Sequence, residues 1–384
     1  MILSDICEFI VDCPHTTAED EGQGYPLIRT PNIGKGRLLL EGVHRVSEEV
    51  YNNRNFRAVP QDDDLIFARE APAGNVAIIK NGEKVCLGQR TVLIRPNKNF
   101  VNPNYLVYYL LTPQQQYKLL GTANGATVAH VNLPIIRNLP VELPDIETQN
   151  KIANVLSAYD DLIENNQKQI KLLEEAVQRL YKEWFVDLRF PGYETTPIID
   201  GIPQAWKRER LVDIADVQYG YAFDGSLFNA KGNGTPIVRI RNIPAGTTDD
   251  YTTEDAEPQY VVHNGDILVG MDGEFHINSW SGPDAYLVQR TCSFRPHNPN
   301  MKGYLLQAIY EPIKYFESTV VGATVAHLGK KHIDTITVLT GPDELYVPFQ
   351  QYFNKRQLLL NQNQRLAEAR DRLLPKLMSG ELEV

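Results

Sequence analysis

The chain has 384 residues, of which 42% are hydrophobic and 22% charged, and its net charge is −10. This length predicts two or three domains, and the composition is typical of a globular protein without an apolar run long enough to cross a membrane. The acidic balance argues against a uniformly basic nucleic-acid-binding domain: residues 1–144 hold 14 basic and 15 acidic side chains, and residues 191–342 hold 12 and 18. The four cysteines show no disulfide or metal-site spacing, and no secretory signal opens the sequence, so we expect a cytoplasmic protein.

Residues 1–144 have the pattern of short strands joined by turns. Runs rich in β-branched and aromatic residues at 25–30, 64–68 and 91–95 are separated by glycine, proline and asparagine. A helix is predicted at 104–120. The sequence thus predicts a strand-rich first domain.

A long helix is predicted at 145–190. Between Ile152 and Trp184, ten positions recur at alternating steps of four and three residues, and nine of the ten are apolar. Pro144 and Asp145 mark the start of this segment. Such a sustained heptad pattern is typical of a coiled coil, and Asn166 is the one polar residue in it.

Residues 191–342 repeat the strand-rich pattern with a helix at 302–317, and residues 343–384 predict a second long helix whose heptad pattern is less regular. The predicted fold class is therefore α+β. It comprises two strand-rich domains and two long helices that pack antiparallel as a coiled coil. The alternative is that each helix packs separately on its own neighbouring domain.

The chain carries an internal duplication. The hexapeptide at 125–130 recurs letter for letter at 322–327, and Gln89-Arg90-Thr91 recurs as Gln289-Arg290-Thr291. A repeat of about half the chain predicts a pseudo-twofold arrangement with two similar sites. At an offset of 196, Asn166 matches Gln362, so we expect these two residues to face each other and fix the helix register. His130 and His327, which end the hexapeptides, are interpreted as structural residues because no second metal ligand lies nearby.

Motifs for intrinsic catalysis are missing from the sequence. There is no phosphate-binding loop, no dinucleotide-binding glycine motif, no Pro-Pro-Tyr motif and no His-Glu-x-x-His. We therefore expect no catalytic site, no cofactor and no metal.

Polar side chains instead follow the predicted strands in both halves. Arginine, asparagine and glutamate are the side chains that read base edges, although ordinary turn chemistry is the alternative for any one of them. The identical Gln-Arg-Thr tripeptides fit a role in the shared fold or on the phosphate backbone better than base discrimination. The candidate DNA-binding residues are Arg29, Asn32, Lys35, Arg69, Glu70, Arg90, Arg239, Arg241, Asn242, Asp272, Glu274, His276 and Arg290.

Several motifs resemble those of the specificity subunit of Type I restriction–modification systems. They are the segment 265–275, the Leu-Pro pairs at 139–144 before the first long helix, the Ile-Pro-x-x-Trp at 202–206 and the tail at 373–382. The resemblance covers the whole chain. It departs from the family pattern in two ways: no Ile-Pro-x-x-Trp precedes Leu3, which leaves the boundary of the first domain open, and the second helix is more divergent.

The resemblance implies a non-catalytic subunit that recognises double-stranded DNA. Each strand-rich domain would read one half of a split asymmetric target, and the helices would set the spacing and dock two methyltransferase subunits. Motor-nuclease subunits would complete the assembly, whose partners could supply positive charge around the DNA. The alternatives are a rod-like protein–protein adaptor with two end domains, and a self-sufficient nuclease or methyltransferase.

Overall fold

The structure, a computed structural model, describes residues 1–80, 82–121, 130–319 and 326–384. The repeated hexapeptides therefore lie outside the described residues except for His130, Ala326 and His327. The chain forms two compact units: unit 1 comprises Met1–Leu162 and Leu366–Val384, and unit 2 comprises Ile163–Arg365. Both units mix strands with helices, which confirms the predicted mixture of the two.

Unit 1 is built on a five-stranded sheet of order β1-β8-β5-β6-β3 and a three-stranded sheet of order β4-β2-β7. Its strands are β1 (Cys7–Asp12), β2 (Tyr25–Ile28), β3 (Gly36–Arg37), β4 (Arg45–Val46), β5 (Leu65–Ala68), β6 (Val76–Ile78), β7 (Cys86–Leu87) and β8 (Thr91–Pro96). Every residue of β5 is buried, because this continuous apolar run lies in the interior of the sheet and packs on both faces. The runs predicted as strands at 64–68 and 91–95 thus form neighbouring strands of one sheet.

The helices of unit 1 are α1 (Glu48–Arg54), α2 (Pro103–Leu111), α3 (Pro113–Leu120), α4 (Leu133–Arg137) and the first part of α5 (Ile146–Tyr181). The single helix predicted at 104–120 is in fact two helices. Pro113 cannot continue a helix because it lacks the backbone N–H, and it occupies the first position of α3, where the Thr112 side chain accepts a hydrogen bond from the backbone of Gln115. The helix predicted at 302–317 is also two helices in unit 2, α7 (Lys302–Ala308) and α8 (Tyr310–Thr319).

Unit 2 contains β9 (Ile198–Ile199), β10 (Ile202–Pro203), β11 (Lys207–Arg210), β12 (Ala215–Tyr219), β13 (Phe228–Asn229), β14 (Thr235–Val238), β15 (Tyr251–Thr252), β16 (Val261–Val262), β17 (Ile267–Gly270), β18 (Ile277–Ser279), β19 (Ala285–Leu287), β20 (Thr291–Pro296) and β21 (Thr337–Thr340). Its helices are α6 (Leu211–Ile214), α7 (Lys302–Ala308), α8 (Tyr310–Thr319), α9 (Lys330–Ile333) and α10 (Tyr346–Ser379), the last of which continues into unit 1. The central strands form a sheet of order β12-β20-β17-β18.

The same four-strand framework occurs in both units. The order β1-β8-β5-β6 in unit 1 matches β12-β20-β17-β18 in unit 2, and each neighbouring pair is antiparallel. An ion pair recurs on this framework, between Asp64 and Arg95 in unit 1 and between Asp266 and Arg295 in unit 2. The sequence repeat therefore corresponds to a repeated sheet.

The two long helices pack against each other within each unit. In unit 1, Ile152 and Leu156 of α5 share a buried cluster with Leu377 of α10. In unit 2, Val177 of α5 lies in the same buried cluster as Phe349 of α10. Helix α5 begins after Asp145, whose carboxylate accepts hydrogen bonds from the backbone and hydroxyl of Thr148, and α10 continues through Pro375. No helix in the described part of the chain is long and apolar enough to cross a membrane.

The expected pairing of Asn166 with Gln362 is wrong. The side-chain amide of buried Asn166 donates instead to Oδ1 of Asn363 at 2.9 Å, and Gln362 is exposed. Adjacent residues of a helix point about 100° apart, so a shift of one residue moves a side chain off the contacting face. Arg356, Asn363 and Arg370 of α10, at intervals of seven, each make a polar contact with α5.

Candidate nucleic-acid interface

Three charged or titratable side chains meet at one end of the central strands of the unit 1 sheet. Glu70 lies two residues beyond the end of β5, and Arg90 lies directly before β8. Nδ1 of His130 lies 2.5 Å from Oε1 of Glu70, and the Arg90 guanidinium forms an ion pair with the same carboxylate. The Arg90 side chain is 60% exposed, whereas that of Glu70 is 15% exposed. We call Glu70, Arg90 and His130 cluster 1; it presents a restrained guanidinium to solvent.

Unit 2 contains the corresponding set of side chains, Asp272, Arg290 and His327, which we call cluster 2. Asp272 lies two residues beyond the end of β17, and Arg290 lies directly before β20. Nδ1 of His327 lies 2.5 Å from Oδ1 of Asp272, and Nε of Arg290 lies 3.4 Å from Oδ2. The Arg290 side chain is 56% exposed. The two clusters therefore share their chemistry and their place on the repeated sheet.

The repeated Gln-Arg-Thr tripeptide forms the turn that presents each arginine. Arg90 and Arg290 both have a positive φ, of 64° and 70°, which is uncommon for residues other than glycine. The following threonine closes the turn, since its hydroxyl donates to a carbonyl three residues earlier, at 2.8 Å for Thr91 and 2.6 Å for Thr291. The identity of the tripeptide thus has a local structural cause.

Arg69 is not available for the base contact expected of it. The residue is 8% exposed, and its Nη1 donates to Oδ2 of Asp12 at 2.8 Å. Its Nε donates to the backbone oxygen of Val131 at 2.9 Å, and its Nη2 lies 2.9 Å from Nε2 of His130. This contradicts the base contact predicted from the sequence. The Arg69 side chain points into the unit because its hydrogen-bond partners lie there, and its contact with Nε2 positions the His130 ring.

In unit 1 the ion pair of Asp12 with Arg69 supports cluster 1 from inside the unit. The residues at the corresponding positions of unit 2 do not form an ion pair. Tyr219 lies opposite Cys292 as Asp12 lies opposite Val92, and Met271 precedes Asp272 as Arg69 precedes Glu70. Met271 is buried, and the Tyr219 hydroxyl is buried without a hydrogen-bond partner among the described residues. Burial raises the pKa of Tyr219, and Cys292 adds to the effect.

The two asparagines predicted to contact DNA are used by local turns. Oδ1 of Asn32 accepts the backbone N–H of Arg29 at 3.1 Å, and Oδ1 of Asn242 accepts that of Arg239 at 2.8 Å. Asn32 is also buried and donates to the backbone oxygen of Leu39, so the base contact expected of Asn32 is contradicted. Its polar atoms satisfy the backbone, as turn asparagines commonly do.

The other candidates on the first strand-to-turn segments differ in exposure. Arg29 is partly buried, with its Nε unpaired among the described residues, whereas Lys35 is exposed. The guanidinium of Arg239 lies 5.6 Å from the centre of the Phe228 ring, and exposed Arg241 forms an ion pair with Asp250. None of the described polar contacts joins these residues to cluster 1 or cluster 2.

Glu274 and His276 lie on the turn that follows cluster 2. Nδ1 of His276 lies 3.6 Å from Oε1 of Glu274, whose side chain is largely exposed. The structure thus brings Asp272, Glu274, His276 and Arg290 to one end of the central strands, as it brings Glu70 and Arg90 together in unit 1. Sequence reasoning missed Asp12, and it treated His130 and His327 only as structural residues; their position at the end of identical hexapeptides was the available signal.

Comparison with known proteins gives the family. The family model for the Type I restriction modification DNA specificity domain matches residues 1–175 and again residues 203–358. The MjaIX specificity subunit of Methanocaldococcus jannaschii, a Type I restriction enzyme, is 28% identical over 369 residues, which cover 90% of this chain and 83% of that protein. The HindI specificity subunit of Haemophilus influenzae is 21% identical over 397 residues, covering 83% and 86%.

Among solved structures, the S subunit of a Type I restriction-modification system from M. genitalium superposes with a TM-score of 0.54 at 15% identity, covering 98% of this chain and 95% of that one. At this identity the likeness supports the fold alone. The family match covers most of the chain and occurs twice, once over each strand-rich region. The chain therefore belongs to the Type I restriction modification DNA specificity family and is a specificity subunit that recognises DNA sequence.

Proposed function

We propose that the chain reads a split, asymmetric target in double-stranded DNA, with each unit contacting one half. The observation that carries this proposal is the double occurrence of one surface cluster, Glu70–Arg90–His130 and Asp272–Arg290–His327, on the same strands of a repeated sheet. A duplicated site on a chain of this family fits two contacts with one ligand that itself has two halves.

The chemistry of the clusters suits contact with the phosphate backbone. Arg90 and Arg290 each present a planar guanidinium whose donors match phosphate oxygens. The arginine is identical in both units, and phosphate contacts position a protein without carrying sequence information. Arg90 and Arg290 would therefore fix the two units on the duplex in the same way.

Base readout would come from the side chains that differ between the units. Glu274 and His276 follow cluster 2 on an exposed turn, and glutamate accepts a hydrogen bond from the amino group of cytosine. Lys35, Arg239 and Arg241 are further candidates because their turns follow strands in the two units. Arg29 and Asn242 are retained as residues that shape those turns, and Arg69 as a residue that positions His130.

The long helices would set the distance between the two half-sites. We propose that α5 and α10 form an antiparallel coiled coil in a pseudo-twofold subunit, and that they dock two methyltransferase subunits. The contact between Asn166 and Asn363 supports a fixed register, because sliding one helix along the other would separate these two partly buried amides. In this proposal the chain has no catalytic site of its own and acts in the cytoplasm, and motor-nuclease subunits join the complex for cleavage.

Domain replacement tests the proposal. Residues 1–144 would be exchanged for the equivalent region of a relative, the chimaera assembled with its methyltransferase, and the methylated adenines mapped in DNA. We expect one half of the methylated sequence to change and the other half to stay. The reciprocal exchange of residues 191–342 is the matched control and should alter the other half only.

Two outcomes would contradict the proposal. A change in both halves after either exchange would show that the units do not read DNA separately. The adaptor alternative, in which the two end domains bind proteins, predicts no salt-dependent binding to one split DNA sequence even with the methyltransferase present, and that result would favour it.

A further inference from the structure

Two ion pairs connect α5 with α10, one inside each unit. In unit 1, Asp160 of α5 pairs with Arg370 of α10. In unit 2, Oε1 of Glu174 lies 2.6 Å from Nε of Arg356. The acids both lie on α5 and the arginines both lie on α10, and the spacing is the same on each helix, since 174 − 160 and 370 − 356 both equal 14. The charges are thus divided between the helices.

Both pairs are held by the surrounding structure. The side chains of Asp160 and Arg370 are 13% and 17% exposed, and Oδ2 of Asp160 also accepts the Tyr108 hydroxyl at 2.5 Å. In the second pair Arg356 is 13% and Glu174 40% exposed, and Arg356 also donates to Ser279 Oγ at 2.7 Å and Asn278 Oδ1 at 2.8 Å. Exposed ion pairs contribute little, but an unpaired charge in a partly buried position is costly. Any other helix pairing that separates an arginine from its acidic partner is therefore unfavourable.

One such alternative is the pairing of like helices, that is, of α5 with α5 or α10 with α10 from two copies of the chain. The duplication gives α5 and α10 related sequences, so a second copy of the chain offers each helix a related surface. An antiparallel pair of two α5 helices, with the same layer spacing, would place Asp160 against Glu174 at both ends. Two α10 helices would place Arg356 against Arg370. The central amide layer does not prevent this, because one amide can bond to another in any combination.

We propose that this division of charge selects the partner of each helix: α5 pairs with α10 and is prevented from pairing with the α5 of a second copy. Charged positions that flank a helix interface commonly set partner choice, and like charges there act against the wrong pairing. The inference concerns assembly of the helices and does not rest on the proposed reading of DNA.

A pair of double variants of the full chain tests this inference. Glu174→Arg with Arg370→Glu makes both α5–α10 contacts like-charged, and it makes both contacts of α5 with α5, and of α10 with α10, oppositely charged. Asp160→Arg with Glu174→Arg is the matched control. It also makes both α5–α10 contacts like-charged, but it leaves every pairing of like helices repulsive.

Helix pairing can be measured directly. Two tagged forms of each full-length variant are co-expressed with a protease site in the exposed turn at 192–195, purified, and then cut. The tag on one N-terminal fragment is used to recover its partners. For the parent chain and the control we expect the C-terminal fragment alone. For Glu174→Arg with Arg370→Glu we expect the second N-terminal fragment, together with a doubled mass of the uncut protein relative to the parent.

Three results would overturn the inference. The first is recovery of only the C-terminal fragment with the test variant. The second is equal association of the test and control variants, which would trace association to damaged packing. A third variant covers the case in which the test variant does not fold: exchange of all four charges, through Asp160→Arg, Glu174→Arg, Arg356→Glu and Arg370→Glu, should restore the parental pairing. Failure of this exchange to restore it counts against charge as the selecting property.

Discussion

In unit 1 the exposed cluster is supported by a partly buried ion pair between Asp12 and Arg69, whereas in unit 2 the corresponding positions hold Tyr219 and Met271. The solvent-facing chemistry is nevertheless the same: a carboxylate lies between a histidine and an exposed arginine in both. The difference shows that the arrangement of the cluster does not depend on one particular support. The shared parts are the strand ends and the turn with positive φ.

The two supports should respond differently to substitution. Removing one partner of a buried ion pair leaves an uncompensated charge, whereas removing a buried hydroxyl without a partner removes a group that was already costly to bury. We therefore expect the stability of unit 1 to be sensitive to substitution of Asp12 or Arg69 alone. The stability of unit 2 should tolerate removal of the Tyr219 hydroxyl.

The largest expected effect is that of Asp12→Ala. This change leaves the buried guanidinium of Arg69 without its carboxylate partner, so unit 1 should lose up to about 3–5 kcal/mol of stability. Hydrogen exchange of β1 and β8 would report the loss locally, which matters because a chain with two units need not unfold in one step. The matched control is Tyr219→Phe, for which we expect no loss in unit 2. Equal destabilisation of the two units would remove the distinction between the supports.

A double variant can convert the support of unit 1 into that of unit 2. Asp12→Tyr with Arg69→Met gives unit 1 the side chains of unit 2 and removes both buried charges together. We expect the double variant to be more stable than the sum of its single changes predicts, by roughly 0.5–3 kcal/mol, because the two residues are in direct contact. A double-mutant cycle measured by hydrogen exchange gives this coupling. Strict additivity would mean that the ion pair contributes nothing specific to the support.

Much of the framework could be predicted from the sequence, but the direction of individual side chains was harder. The buried runs at 64–68 and 91–95 identified β5 and β8, and the repeated tripeptide identified the turns that carry Arg90 and Arg290. Arg69 and Glu70 follow the end of β5, and their side chains turn to different partners, Arg69 to Asp12 and Glu70 to Arg90. Treating the two as equivalent led to the wrong interpretation of Arg69.

Other features depend on contacts between distant parts of the chain. Asp12 reaches Arg69 because β1 pairs with β8, and β8 in turn pairs with β5. No local pattern in the sequence specifies this strand order. The partner of Asn166 was missed for a related reason: the heptad pattern of α10 indicated a helix, but its contacting face lies one residue away from the one inferred, and only packing selects it.

The turn after cluster 2 should affect sequence discrimination in one half-site. Glu274→Ala removes an exposed carboxylate beside His276, and loss of a good base contact costs about 1–3 kcal/mol of discrimination at one base position. Binding of the assembled complex to a set of single-base variants of its target would measure this. Glu311→Ala is the control, because Glu311 is an exposed residue of α8, and it should leave the base preference unchanged. If Glu274→Ala weakens binding to all sequences equally, Glu274 contacts the backbone instead.

The smallest expected effect, and the one that treats the two units alike, concerns the arginines of the clusters. Arg90→Ala and Arg290→Ala should each weaken binding to every DNA sequence to a similar extent, because the proposed contact is with phosphate. Each change should make the negative slope of log affinity against log salt concentration shallower by about 0.9, the value for one phosphate contact. Lys98→Ala removes another exposed cation of unit 1, one that pairs with Asp63, and serves as the control for net charge. If Arg90→Ala alters one base preference while Arg290→Ala alters none, the two clusters have different roles despite their common geometry.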